Sequence, residues 1–173
     1  MDDRELEALL TDIESDRAER KSSLSDKDRV AEAICAFAND LPDNRMPGVF
    51  FVGARDDGSC ARLPITDRLL LELAGIRSEG NIQPMPSMVV QKRMIRGCEL
   101  AVVVVQPSDA PPVRYHGQVW VRVGPRRARA SAEEERRLSE KRRARDLPFD
   151  IRPLPSASLE DLDFEVSFRN YLT

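Results

Sequence analysis

The run Val102-Val103-Val104-Val105, inside the apolar stretch from Glu99 to Gln106, constrains the fold more than any other feature. β-branched side chains are stiff at χ1 and favour extended backbone. An apolar run without alternation reads as the most deeply buried strand of a sheet. The stretch is far shorter than the roughly 20 apolar residues of a membrane-crossing helix. Met1-Asp2-Asp3-Arg4-Glu5 lacks the basic-then-apolar opening of a signal peptide. No membrane partner and a cytoplasmic location are therefore expected.

Other segments supply partners for that strand. Leu6, Leu9 and Leu10 recur at helical spacing over residues 3–12. Ser25, with Asp28 three residues on, reads as the cap of a helix reaching about Asp40. Val30, Ile34, Phe37 and Leu41 form its apolar face. Val49 to Val52 is a short strand, Asp56-Asp57-Gly58 a hairpin signal, and Cys60 to Ile65 the expected return strand. Thr66 caps a helix ending near Gly75. Met88 to Ile95, Val113 to Tyr115 and Gln118 to Val123 read as further strands, and Pro125 to Arg129 as a loop. Ser131 with Glu134 opens a helix to about Arg145, and Ser158 with Asp161 a final one. The expected fold is α+β: a mixed, mostly antiparallel sheet of about five or six strands with helices packed against it. Residues 1–147 form the domain, and 148–173 an extension or linker toward a further domain.

The three cysteines, Cys35, Cys60 and Cys98, are odd in number and lie in or beside apolar runs. They read as reduced, buried thiols without zinc spacing. The net charge of −3 conceals an arginine-rich segment from Arg122 to Arg145. Such a local stripe can bind phosphates whatever the global charge. Along the helix its arginines alternate with Glu133, Glu134, Glu135 and Glu140, as on a solvated face. His116 reads as a turn residue and Trp120 as a packing residue.

Five segments, in order, resemble the Schlafen AlbA-type domain family, often described as a DNA-binding domain. Glu14 to Lys21 resembles its opening motif of two glutamates five apart followed by a lysine. Ala36-Phe37-Ala38-Asn39 resembles the end of its first long helix, and Phe51 to Gly58 its strand and acidic hairpin. Gly117 to Gly124 resembles the strand ending in Arg-Val-Gly, and Ala128 to Leu138 the helix after it. The resemblance spans about residues 8–145. Arg20 departs from the family, which usually carries an anchoring aromatic residue there. Arg55 stands where the family often has another acid.

The resemblance implies a nucleic-acid-binding module, the N-terminal part of a bacterial-type transcriptional regulator, with DNA or RNA as partner. Lys21, Arg55, Arg122, Arg126, Arg127 and Arg129 are its candidate phosphate contacts, joined by Lys92 and Arg93. No cofactor is needed for binding. The alternative is a divalent-metal-dependent ribonuclease. The family's three acids map onto Glu14, Glu19 and Asp56, with Asp57 if the register slips by one. Converging carboxylates hold Mg²⁺ or Mn²⁺, which activates water against a phosphate. Residues five apart on an extended chain face opposite ways, so Glu14 and Glu19 meet only if the backbone bends between them. Schlafen nucleases pair two related lobes, so a homodimer is a third reading.

Overall fold

The structure is a computed structural model that describes residues 1–146. The 148–173 extension and the helix expected from Ser158 lie outside the described residues. In chain order the elements are α1 (Asp3–Thr11), β1 (Ala18–Lys21), α2 (Lys27–Asn39), β2 (Gly48–Val52) and α3 (Asp67–Gly75). Then come β3 (Ile82–Gln83), β4 (Met88–Ile95), β5 (Cys98–Val105), β6 (Arg114–Tyr115), β7 (Gln118–Val123), β8 (Arg126–Arg129) and α4 (Ala132–Asp146).

The strands divide into two four-stranded sheets, ordered β1-β2-β5-β4 and β3-β6-β7-β8. Among the described residues, only β1 and β2 pair in parallel. The fold is thus α+β and mostly antiparallel, as expected, with its strands shared between two sheets instead of one. The wedge between them is α2, nine of whose thirteen residues are buried. Its alanines let both sheets approach closely.

The valine run sits at the centre of the first sheet. Ala101, Val103 and Val105 join α2 in one core, while Leu100, Val102 and Val104 meet Leu6 and Leu10 of α1 in another. Covering both faces explains the unbroken apolar run. Each fully buried leucine of α1 contributes about 1.5–3 kcal/mol. At Gly48 a Cβ would lie 2.3 Å from the Phe37 ring, so the crossing of α2 over β2 requires glycine. Asn39 then ties α2 to the second sheet. Its amide donates to the carbonyls of Val113 (2.9 Å) and Trp120 (2.7 Å) and accepts from Val113 N–H (2.6 Å).

Several local expectations are corrected. Asp26, not Ser25, caps α2, its carboxylate accepting from Arg29 N–H at 3.1 Å. Cys60 to Ile65 is not a strand; an isolated Ala54–Cys60 bridge closes the hairpin, and the chain leaves the sheet at once. Pro125 to Arg129 is not an open loop. Gly124 (φ +57°) and Pro125 form a two-residue turn, and Arg126 to Arg129 return as β8 against β7. Glycine followed by proline matches the backbone that such a turn needs. The cysteines are not all reduced: Cys60 and Cys98 form a disulfide, with Cα atoms 5.6 Å apart. They are 38 residues apart in sequence, but the hairpin returns Cys60 beside the first residue of β5. Only Cys35 is a free thiol among the described residues.

Candidate nucleic-acid interface

A cleft of about 860 Å³ opens between β1, the start of α2 and the β7–β8 hairpin. Glu19, Arg20, Lys21, Asp26, Asp28, Arg29, Glu32, Asp56, Trp120, Pro125, Arg126 and Arg127 line it, with Ile13 and Ala18. Its charged residues are five acids and five bases, so its walls are mixed, not uniformly basic. Among the sequence-derived candidates, Glu19, Lys21, Asp56, Arg126 and Arg127 come together here. The rest of the wall lay outside the sequence-derived site, Trp120, Asp26, Asp28, Arg29 and Glu32 among it. The alternation of β7 put Trp120 on the same side as Arg122, but nothing local indicated that this side borders a cleft.

Glu19 anchors one wall and is only 8 % exposed. Arg122 Nη1 donates to its Oε2 at 2.8 Å, and Arg127 Nη1 to its Oε1 at 2.5 Å. Arg127 Nε also reaches Glu32 at 2.9 Å. Arg122 and Arg127 are direct cross-strand partners. Like charges opposite one another are destabilising unless a counter-charge intervenes, and Glu19 supplies it.

Arg122, 5 % exposed, also donates to the carbonyls of Asp16 (3.0 Å), Ala18 (3.2 Å) and Pro125 (2.6 Å). One guanidinium thereby joins the edge of the first sheet to the second. It lies over the Phe37 ring, 5.2 Å from its centroid. Burial lowers its pKa, and the Glu19 carboxylate opposes that shift. Arg122 is therefore consumed internally, whereas Arg126 is exposed and makes no ion pair among the described residues.

Arg20 is 6 % exposed. It donates to the carbonyls of Leu9 (2.5 Å), Leu10 (2.7 Å) and Asp12 (2.5 Å) at the C-terminus of α1. Those carbonyls lack partners within the helix, and a cation there complements the helix dipole. Arg20 thus does the anchoring work that an aromatic residue usually does in the resembled family. Asp56 is near enough to Arg20 to interact with it electrostatically. Arg55 points into its own hairpin, donating to Ser59 Oγ (3.3 Å) and the Cys60 carbonyl (2.7 Å). Lys92 pairs with Glu99 (2.7 Å) and Arg93 with Asp3 (3.7 Å), both from β4 at the edge of the first sheet. Arg129 lies over the Trp120 ring at 5.6 Å.

The acidic trio does not fit a divalent ion. Glu14 is exposed and does not line the cleft. Each oxygen of Glu19 is engaged by a guanidinium, with Lys21 at 3.9 Å. Among the described residues, no group of three or more His, Cys, Asp or Glu side chains is placed to hold a metal ion.

Comparison with known proteins gives one family. The model of the family described as Schlafen, AlbA_2 matches residues 14–131. Solved structures similar to the chain include the crystal structure of the DIP2311 protein from Corynebacterium diphtheriae, 21% identical with a TM-score of 0.48. The match covers 78% of this chain and 25% of that one, so the chain spans about a quarter of that protein's length. No curated protein matches. No described helix is long and apolar enough to cross a membrane.

Proposed function

Because the chain belongs to the Schlafen AlbA_2 family, we propose that it is a nucleic-acid-binding domain whose interface is the cleft between its two sheets. The observation that carries this reading is the β7–β8 hairpin, which presents Arg126 at the cleft mouth opposite Lys21 of β1. Exposed Arg126 on one wall and half-buried Lys21 on the other suit a phosphate chain running between them. Arg122 and Arg127 hold the walls together, and phosphate binding falls to Lys21 and Arg126, with Arg129 beyond them on the hairpin. The finer reading is a module of a bacterial-type transcriptional regulator that acts in the cytoplasm, either alone or as a homodimer. Binding is favoured over metal-dependent cleavage because the Glu19 carboxylate is occupied by arginines.

The test is fluorescence anisotropy with labelled DNA and RNA oligonucleotides. Binding is expected to weaken with salt, and to weaken about tenfold or more in the Lys21→Ala/Arg126→Ala double variant. This variant removes only the 3.9 Å Lys21–Glu19 contact and keeps the shorter Arg122–Glu19–Arg127 bonds, and a circular dichroism melt checks that folding is retained. Affinity equal to that of the unaltered chain would overturn the assignment.

A further inference from the structure

Trp120 is the chain's sole tryptophan, and it is half-buried. One part of it packs on the core around α2, and another part lines the cleft beside Arg126 and Arg127. Its cross-strand partner Arg129 lies over the ring, placing a cation next to an aromatic surface. Indole faces stack on nucleobases regardless of base identity. In a duplex those base faces are already stacked on one another.

The charges of the cleft point the same way. A duplex backbone is uniformly anionic and would meet exposed Asp26 and Asp56 on these walls. An unpaired nucleotide carries both signs of recognition. Its phosphate suits Lys21 and Arg126, and the amino groups on its base edge suit carboxylate acceptors. A volume of about 860 Å³ lies in the range of small-ligand sites, roughly 300–1,000 Å³.

We infer that the cleft seats an unpaired nucleotide of a single strand, its base against the Trp120 indole and its phosphates on Lys21 and Arg126. This rests on the nucleic-acid-binding reading and narrows it to single-stranded DNA or RNA. It also gives Trp120 a second role beyond the packing expected from the sequence.

The sole tryptophan is its own reporter. Three ligands of equal length are titrated: a single-stranded oligonucleotide, its duplex and an abasic strand carrying the same phosphates. Tryptophan fluorescence and the anisotropy of a ligand label are read together. Single strands are expected to quench the emission and to bind roughly tenfold tighter than the abasic strand, which leaves the emission unchanged. Trp120→Leu, which keeps apolar packing but has no aromatic face, is expected to bind single and abasic strands alike. Equal quenching by the abasic strand, or tight binding with no quenching, overturns the stacking role and leaves the nucleic-acid reading intact. Tighter binding to the duplex than to the single strand also overturns it. Binding to none of the three overturns both.

Discussion

Removing the Glu19 carboxylate leaves Arg122 and Arg127 facing each other across the β7–β8 ladder with nothing between them. Breaking a buried ion pair from one side costs about 3–5 kcal/mol, because the remaining charge is stranded. Glu19→Ala is therefore expected to lower the melting temperature by about 6–20 °C, at roughly 2–4 °C per kcal/mol for a chain of this size. Glu19→Gln, which keeps an acceptor, is expected to lose less. Circular dichroism melts check this, and a Glu19→Ala melt within 2 °C or so of the parent would show that the network carries no weight. Glu19 was recognisable in the sequence as an acid in a motif. Its partners lie 103 and 108 residues away, and no local spacing reveals such a pairing. Arg20 shows the same limit, since its role depends on where α1 ends against it.

Among the elements, β5 and α2 were readable because burial of most of their surface forces an apolar pattern onto the sequence itself. The β8 strand was not, because Arg126-Arg127-Ala128-Arg129 has no periodic signal and is extended only because β7 supplies a ladder. The Asp56 hairpin was readable as a turn. The clip that fixes it, Cys60 to Cys98, was not, because separation along the chain says nothing about separation in space. This clip removes the cysteine argument for a reducing compartment. Closing a loop of 38 residues stabilises the fold by about 2–4 kcal/mol, so reduction is expected to lower the melting temperature measurably. Cys35 adds a second readout. Burial, assisted by nearby Glu32, pushes its thiol up to about 12. A thiol-reactive dye at mildly alkaline pH is expected to find no thiol in the native oxidised chain. It should find one after denaturation, and three after denaturation with reductant. A reactive thiol in the native oxidised chain, or three without reductant, would contradict this pairing.

At the scale of the whole molecule, the net charge of −3 argues against general affinity for polyanions. On the proposed reading, attraction comes from the cleft, where Lys21 and Arg126 are the cations left for a ligand. The salt dependence should be shallow in proportion. With Lys21, Arg126 and Arg129 as phosphate contacts, log K against log salt is expected to slope at about −2 for a single strand. Arg126→Ala is expected to reduce that slope by about 0.7. A slope steeper than about −5 would mean that the contact surface extends well beyond the cleft. The fold class and the domain's family were legible from ordered motifs. The cleft was not, because its two walls belong to different sheets, and the α2 wedge and the Arg122–Glu19–Arg127 network that join them are formed by residues far apart in the chain. Arg122 carries a last consequence, since its guanidinium grips the edge of one sheet from a strand of the other. The gauge of the opening is written into the interior and not into its rim. On the proposed reading, such a slot would work as a caliper and not as a jaw, admitting or refusing a strand by thickness.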